Sequence, residues 1–403
     1  MKILVINSGS SSIKYKLFEM EGEEVLSSGI VERIGLPMGK ISHKVFDKDG
    51  NEKKAFKELV VPNHQVGLNE VVHLLLDNQV GVISDTSEIS AVGHRLVHGA
   101  EYFSDTTLIT DEVMEKVEEV SPLAPLHNPP NLEGVKVCKE IFPYAKQVGV
   151  FDTAFHQSMP DFAYRYAIPT HLYEEEHIRA YGMHGTSHLY VSKKAIEHLD
   201  LQGKESRIIT IHLGNGCSMT AVKDGKCVDC SMGFSPLSGL IMGTRSGDID
   251  PAVIFYLHDK VGMSMGEINE LLNKKSGMLG LTGHSDMRDI EQECHQGDSN
   301  AKLATQMYAY RIKKYIGTFL AALNGVDGIV FTAGVGENDS KVREMAVEGL
   351  ENLGIFLDPV KNNLRAKQIE EVQAEASKVK ILVIPTDEEL EIAQQSQKLI
   401  KNQ

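Results

Sequence analysis

Short apolar runs and small polar turns alternate at the start of the chain. Residues 3–6 are apolar, residues 7–12 are all small, and residues 13–17 again alternate between apolar and polar side chains. This pattern predicts a β-hairpin whose turn carries many backbone N–H and hydroxyl donors. Such a turn lets an anion approach the backbone, and Lys14 adds a positive charge beside it.

The same pattern returns near the middle of the chain. Residues 208–213 are mostly apolar, residues 214–218 form a second small polar turn, and residues 219–222 resume a strand. Two strand–turn–strand units about half a chain apart predict a duplicated domain, with a phosphate-binding turn in each half facing a shared cleft.

Other segments complete an α/β pattern. Apolar residues recur at helical spacing over 66–80 and 300–324, Asp111 is expected to cap a helix, and Pro251 to start another. Strands are predicted at 89–92, 147–151, 328–331 and 380–385. A last helix is expected from about Glu388.

Two candidate functional residues stand out from this pattern. The proline-rich stretch 121–130 excludes regular structure, so it can hold His127 in a rigid loop. Asp152 directly follows a predicted strand, at the end of the strand where open α/β sheets place ligands.

Composition narrows the class of protein. The length of 403 residues predicts two or three domains, and the net charge of −15 without a basic run argues against nucleic acid binding. No stretch approaches the ~18 apolar residues of a membrane span, and no signal-peptide core is visible. Five sparse cysteines suit reduced thiols, so we expect a cytoplasmic protein; Cys227 and Cys230 are interpreted as ordinary thiols.

Several motifs leave alternatives open. No P-loop is present, and the glycine pair at 334 and 336 lacks the third glycine of a dinucleotide fingerprint. Two histidine pairs, 94 with 98 and 184 with 188, have zinc-like spacing but lack the accompanying glutamate, which favours hydrogen-bonding roles. Arg95 and Arg245 lie in glycine-flanked loops, either as structural ion pairs or as clamps for a carboxylate and a transferring phosphoryl group.

Taken together, eight segments resemble the acetokinase family, within the acetate and sugar kinase–Hsc70–actin superfamily. The segments run in one register from the first strand to the last helix: 7–14, 93–99, 124–129, 151–156, 181–188, 212–216, 242–250 and 334–338. The resemblance implies reversible, Mg²⁺-dependent phosphoryl transfer from ATP to acetate, giving acetyl phosphate and ADP.

The resemblance also implies a fold and a domain division. The fold is α/β, with two similar duplicated domains of the actin-like ATPase (ribonuclease H-like) type and an interdomain nucleotide cleft. Residues 1–153 would form the N-terminal domain, on which the C-terminal helix 386–403 packs back. Residues 154–385 would form the nucleotide-binding domain.

The resemblance assigns residues by motif. The catalytic residues would be Asp152, His184, Arg245 and Arg95. Arg95 would also bind substrate, together with Val97, Leu126, His127, Met183 and Pro236. The nucleotide and its phosphates would contact Lys14, Ser10, Ser12, His212, Leu213, Gly214, Asn215, Gly216, Asp286, Met287, Arg288, Gly334, Val335, Gly336, Glu337 and Asn338. Mg²⁺, or Mn²⁺ in its place, would lie at Asn7 and Glu388.

Two positions depart from the family pattern, since Met183 stands where phenylalanine is usual and Asp387 where asparagine is usual. The first bears on acyl-chain selectivity and the second adds a charge near the expected metal. The partners implied are ATP and acetate, a second copy of the chain in a homodimer, and neither nucleic acid nor membrane. A propionate or other short-chain acyl kinase, or a non-catalytic actin- or Hsc70-type ATP-binding module, remain the alternatives.

Overall fold

A computed structural model describes residues 1–47, 50–363 and 368–402. The chain forms two compact units. One consists of Met1–Phe155 together with the C-terminal segment that begins at Asp387, and the other is His156–Thr386. Each helix among the described residues is too short or too polar to cross a bilayer.

The first unit is built on an eight-stranded sheet. Its strands are Lys2–Ser8 (β1), Ser12–Glu19 (β2), Glu24–Glu32 (β3), Gly39–Phe46 (β4), Glu52–Leu59 (β5), Ile89–Leu96 (β6), Thr107–Leu108 (β7) and Lys146–Phe151 (β8). Their order in the sheet is β5-β4-β3-β2-β1-β6-β8-β7. Strands β1 to β5 are joined antiparallel, whereas β6 is parallel to both β1 and β8.

The second unit carries a six-stranded sheet. Its strands are Arg207–Leu213 (β9), Cys217–Lys223 (β10), Lys226–Cys230 (β11), Gly328–Thr332 (β12), Glu370–Glu371 (β13) and Lys380–Val383 (β14). Their order is β11-β10-β9-β12-β14-β13. Again the first three strands are antiparallel, and β12 is parallel to both β9 and β14.

The two sheets share one strand plan. In each, three antiparallel strands occupy the order third, second, first, and two parallel strands follow beside the first. The hairpin β1–β2 and the hairpin β9–β10 hold the same place in this plan. The predicted α/β class and its internal duplication are therefore confirmed.

Three helices and the C-terminal helix cover the first sheet. They are His64–Leu75 (α1), Asp111–Glu119 (α2), Asn128–Ile141 (α3) and the C-terminal helix Glu388–Lys401. Alternation in β1 separates two cores: Leu4 and Ile6 pack on the side of α1 and α3, whereas Ile3 and Val5 pack with Ile392 of the C-terminal helix. The last helix thus belongs to the first unit.

The helices of the second unit are mostly short. They are Asp161–Tyr164 (α4), His171–Glu174 (α5), Gly185–His198 (α6), Ala252–Tyr256 (α7), Met265–Lys274 (α8), Gly277–Thr282 (α9), Met287–Gln296 (α10), Ser299–Leu323 (α11), Ala333–Asn338 (α12), Ser340–Val347 (α13) and Pro359–Asn362 (α14). The long helix α11 lies against β10, where the Tyr308 hydroxyl is 3.1 Å from the Cys217 sulfur.

Most predicted elements match closely, but two expectations are wrong. Helix α3 begins at Asn128, inside the stretch 121–130 that was expected to lack regular structure, and β6 extends to Leu96, so Arg95 lies in a strand and not in a loop. The helix expected over 300–324 is α11, and the last helix begins at Glu388 as predicted. The helix expected over 66–80 ends at Leu75, and Thr110 rather than Asp111 caps α2. Strands β4 and β5 were not predicted. For β5 the reason is that it is an exposed, lysine-rich edge strand without an apolar face.

Candidate active site

In the first unit an arginine is held between two carboxylates. Arg95 donates to one oxygen of Asp152, from Nε at 3.0 Å and from Nη2 at 2.6 Å. Its Nε also lies 4.0 Å from the Glu388 carboxylate. Asp152 is buried, whereas the side chains of Arg95 and Glu388 each keep 21% of their surface exposed. The cluster is therefore closed on the Asp152 side and reachable from the other.

The sheet register sets this cluster. Strands β6 and β8 run parallel, with Arg95 beside Val150 and Leu96 beside Phe151, so both strands deliver a polar side chain at the same edge. The Asp152 N–H donates to the Leu96 carbonyl at 2.9 Å, which fixes the turn after β8. Glu388 joins them because it is the first residue of the C-terminal helix.

Around Arg95 the carboxylates outnumber the guanidinium, and burial together with this excess changes the pKa values of Arg95 and Glu388. Burial disfavours the charged Arg95, but the carboxylates of Asp152 and Glu388 outweigh it and raise the pKa of the guanidinium above its usual value. Burial raises the pKa of Glu388 to about 7, and the negative charges of Asp152 and Glu389 add to this against the opposing effects of Arg95 and Lys14. Negative charge is thus in excess around Glu388, and a cation would relieve it.

The predicted anion-binding turn lies at the end of the first hairpin. Asn7 and Lys14 face each other across β1 and β2, and the Gly9 N–H donates to the Ser12 carbonyl at 2.8 Å. Ser10 and Lys14 are exposed to solvent. The turn therefore presents small polar side chains and one lysine at the surface, as an anion site requires.

Residues assigned to the substrate lie next to the start of α3. The side-chain amide of Asn128 forms two hydrogen bonds with the backbone of His98. It accepts from the His98 N–H at 3.1 Å and donates to the His98 carbonyl at 2.9 Å. Asn131 accepts from the Val97 N–H at 3.1 Å. His127 is the residue before α3, and Leu126 is 67% exposed. Val97 and His127 thus lie in segments that two asparagines tie together.

In the second unit, histidines gather beside the second hairpin. His184 precedes α6 with a left-handed backbone (φ 58°), and its ring stacks on that of His212 at 4.4 Å between centroids. Nδ1 of His184 lies 2.8 Å from the Ser218 hydroxyl, and Nδ1 of His212 lies 2.9 Å from the Ser187 hydroxyl. The two rings are therefore held by hydroxyls of the unit itself.

Gly216 brings His184 and Arg245 to one place. A Cβ at Gly216 would lie 3.4 Å from His184 Nε2 and 3.7 Å from Arg245 Nη1. Arg245 Nη1 donates to the Pro236 carbonyl at 3.2 Å, and burial lowers the pKa of its guanidinium. An incompletely solvated cation beside a histidine at a glycine turn is suited to an anion.

Met183 is anchored through its backbone. Its carbonyl lies 3.0 Å from Nε2 of the buried His156, whose Nδ1 is 3.2 Å from the Cys227 sulfur. A side chain at Gly182, which has φ +72°, would meet the His156 ring at 2.5 Å. The segment that carries Met183 and His184 is therefore closely packed on His156.

A cavity of about 710 Å³ opens in the second unit. Eight residues that the resemblance assigns to the nucleotide line it, namely Gly214, Asn215, Asp286, Met287, Arg288, Gly334, Val335 and Asn338. Seven further residues line it without having been predicted, namely Gly243, Met278, Ser285, Glu291, Tyr308, Asp339 and Ser340. His212, Leu213, Gly216 and Glu337 are outside this lining.

The lining residues come from several elements. Asp286 caps α10 and forms an ion pair with Arg288 at 2.5 Å, and hydrogen bonds from Arg288 lower the pKa of Asp286 to about 2. Glu337 does not line the cavity and has a structural role instead. Its carboxylate accepts hydrogen bonds from the backbone N–H groups of Ala333 at 2.9 Å and Thr386 at 3.1 Å. Glu337 thus stabilises the turn that contains Gly334, a residue that lines the cavity.

The metal site that the resemblance implies consists of only two protein residues, Asn7 and Glu388. The described residues hold no group of three or more histidine, cysteine, aspartate or glutamate side chains arranged for a metal ion. Mg²⁺ commonly binds through one or two carboxylates together with water and substrate phosphates, so a larger protein group is not required. The amide of Asn7 and the carboxylate of Glu388, with its excess of negative charge, fit such an ion.

Comparison with known proteins gives one family. Residues 2–394 match the model of the acetokinase family. The chain is 56% identical to the acetate kinase of Flavobacterium johnsoniae, with all of both chains covered. It is similar to the crystal structure of Porphyromonas gingivalis acetate kinase, with 48% identity, a TM-score of 0.93 and 99% of each chain covered. A propionate kinase from Francisella tularensis shows 43% identity and a TM-score of 0.90 over 98% of each chain. The chain therefore belongs to the acetokinase family.

Proposed function

We propose that this chain is an acetate kinase, which transfers a phosphoryl group reversibly from ATP to acetate. The observation that carries the proposal is the 56% identity to an acetate kinase over the whole of both chains. The cavity in the second unit supports the binding of a nucleotide, and the Arg95 cluster supports the binding of a small carboxylate. We also propose the domain division at 153/154 and 385/386.

Phosphoryl transfer to acetate needs little general-base catalysis. Acetate is already ionised at neutral pH, as is an unperturbed glutamate with a pKa of about 4.3. The enzyme must bring two anions together and neutralise charge on the transferred group. We assign carboxylate binding to Arg95 and stabilisation of the phosphoryl group to His184 and Arg245. Lys14, Ser10 and Ser12 would contact phosphates.

Asp152 is assigned to positioning rather than proton transfer. Its carboxylate already accepts two hydrogen bonds from Arg95, so it fixes the guanidinium that receives acetate. We propose that Asn7 and Glu388 hold Mg²⁺, which supplies neutralisation of the phosphate oxygens when bound. Val97, Leu126, Met183 and Pro236 would contact the methyl group, with His127 beside them.

Two further expectations belong to the proposal. We infer a homodimer, because large apolar side chains are exposed close together in sequence on and after α7, including Phe255 and Tyr256 at 64% and Val261 at 58%. A cytoplasmic location remains an inference from composition.

The test is formation of acyl phosphate, trapped as the hydroxamate, with ATP and either acetate, propionate or butyrate. We expect acetate to have the highest kcat/KM. A preference for propionate would support the alternative that the similar propionate kinase suggests. Binding of ATP without acyl phosphate from any of the three acids would support a non-catalytic nucleotide-binding module.

A further inference from the structure

A chain of hydrogen bonds runs from His184 into the interior of the second unit. The Ser218 hydroxyl lies 2.8 Å from His184 Nδ1 and also 2.8 Å from Nε2 of the buried His188. On its other side, His188 Nδ1 lies 2.7 Å from the Thr210 hydroxyl. The Thr210 hydroxyl donates to the Thr220 carbonyl at 3.4 Å. Two hydroxyls and one imidazole thus link His184 to a β-sheet carbonyl.

The direction of the protons in this chain follows from its inner end. A carbonyl can only accept, so Thr210 gives its proton to Thr220 and must accept from His188 Nδ1. Burial, together with the neighbouring His156 and His212, lowers the pKa of His188 well below its usual value, so the ring is neutral and its Nε2 carries no proton. Ser218 therefore donates to His188, and its oxygen accepts from His184 Nδ1.

We propose that Thr210, His188 and Ser218 are positioning residues that hold the proton of neutral His184 on Nδ1. In water the neutral imidazole can carry its proton on either nitrogen, and the hydrogen bond of one nitrogen decides which. Here Nδ1 is the fixed donor, so Nε2 is the atom that gains or loses a proton. This inference deepens the proposed function by naming the residues that set the protonation of one catalytic group.

The arrangement suits a histidine that faces transferred phosphate. Nε2 lies beside Gly216 and Arg245, and it can donate to an anion only when His184 is a cation. Because Ser218 accepts from Nδ1 in both charge states, protonation of Nε2 requires no rearrangement of the chain. Among the described residues of this unit, the His212 ring stacks on His184, His188 reaches it through the Ser218 hydroxyl, and Arg245 lies beside the same glycine.

The two threonines at the inner end provide a matched pair of variants. Thr210 and Thr220 face each other in the β9–β10 ladder, and both are buried. The Thr220 hydroxyl has no hydrogen-bond partner among the described residues, whereas the Thr210 hydroxyl is a member of the chain. Thr→Val conserves shape at each position, so only Thr210→Val removes a link.

The experiment is long-range ¹H–¹⁵N correlation NMR on the full-length protein with ¹⁵N-labelled histidines, at a pH where His184 is neutral. We expect the Nδ1–H tautomer of His184 in the wild type and in Thr220→Val. In Thr210→Val, His188 Nδ1 loses its acceptor, so His188 and then Ser218 reverse direction and His184 shifts to the Nε2–H tautomer.

Two results would overturn the proposal. One is an Nε2–H tautomer of His184 in the wild type, and the other is a Thr210→Val protein whose His184 tautomer does not change. Ser218→Ala gives a second arm, because it removes the acceptor of Nδ1 directly, with Ser192→Ala on the same helix as His188 as the control. The readout does not depend on kinase activity, so failure of the acetate kinase assignment and failure of this inference are distinguishable.

Discussion

Arg95 directs Nε and Nη2 to a single oxygen of Asp152, with the Nη2 contact at 2.6 Å. The guanidinium is therefore held by one edge, and the pair is not the two-oxygen fork that arginine forms with a carboxylate in the ideal case. We assign the opposite edge, formed by Nη1 and Nη2, to the carboxylate of acetate. An oriented but incompletely used guanidinium is suited to binding a second anion.

Arg95→Ala should raise the KM for acetate strongly and leave ATP binding unchanged, because Arg95 is assigned to the acetate carboxylate and is not among the residues that line the cavity proposed for the nucleotide. Arg95→Lys should restore acetate binding only in part, since an ammonium group cannot form hydrogen bonds with Asp152 and acetate through two separate edges. Steady-state kinetics with each substrate varied would measure both. Lys139→Ala, which breaks an exposed ion pair with Asp111, is the control. An unchanged acetate KM in Arg95→Ala would place the acetate carboxylate elsewhere.

Arg245 should act mainly on the rate of the chemical step. Arg245→Ala should lower kcat by about 10³-fold or more with little change in the KM for ATP, because the contact strengthens as charge develops on the phosphoryl group. Arg245→Lys keeps the charge but not the geometry that reaches the Pro236 carbonyl, so it should recover only part of the rate. A near-normal kcat in Arg245→Ala would remove Arg245 from the mechanism.

The sequence predicts those features that depend on local pattern. The hairpin turns, the long helix α11 and the start of the C-terminal helix at Glu388 all follow from periodicity and small residues. Asp152 could be singled out because the end of a buried strand is a local signal. Motifs outside these elements single out further residues that the structure brings together, namely Arg95 with Asp152 and His184 with Arg245.

Features that depend on contacts between distant segments could not be predicted. The spacing of His184 and His188 suggested either a metal pair or hydrogen bonding, and only the fold shows that both rings contact the Ser218 hydroxyl. Tyr308 and Asp339 line the cavity because α11 packs on the second hairpin and α13, which Asp339 caps, packs on α11. Nothing in the local sequence of either residue indicates a nucleotide.

Asp387 departs from the asparagine of the family, and the structure indicates why the extra charge is tolerated. Its carboxylate accepts from the Leu390 N–H at 3.0 Å and from Lys16 Nζ at 2.9 Å. Asp387 therefore caps the C-terminal helix and also forms an ion pair with Lys16. Asp387→Asn should keep the cap and change the Mg²⁺ concentration for half-maximal activity little. Lys16→Met should change it more, because Asp387 and Glu389 both lose their partner. Equal effects of the two variants would contradict this account.

His94 should make the protein less stable in mild acid. Burial lowers its pKa from 6.5 to about 4, against a smaller opposing effect of the hydrogen bond with Gln147. Between these values the unfolded histidine binds a proton and the folded one does not, so the free energy of unfolding falls as the pH falls. At pH 5 the loss from this group is about 2 kcal/mol.

Urea unfolding of wild type and His94→Gln at pH 7 and pH 5 would measure this contribution. The variant should lose less stability between the two values than the wild type. His73→Gln is the control, because the His73 side chain is 71% exposed. The same pH dependence in His94→Gln and the wild type would show that the buried ring is not the group responsible.

The last prediction concerns selectivity among short acids. An apolar pocket discriminates one methylene by only about 1–3 kcal/mol, so propionate should react with a kcat/KM about 10- to 200-fold below that of acetate. Met183 is buried and unbranched, and its backbone is fixed by His156 while its flexible side chain can adapt to a longer acid. Val97→Ala should narrow the gap by making room, whereas Val82→Ala, at a similarly half-buried position, should not. No propionate turnover in the wild type, or a Val97→Ala ratio equal to that of the wild type, would mean that these residues do not form the acyl pocket even if the nucleotide site is correctly assigned.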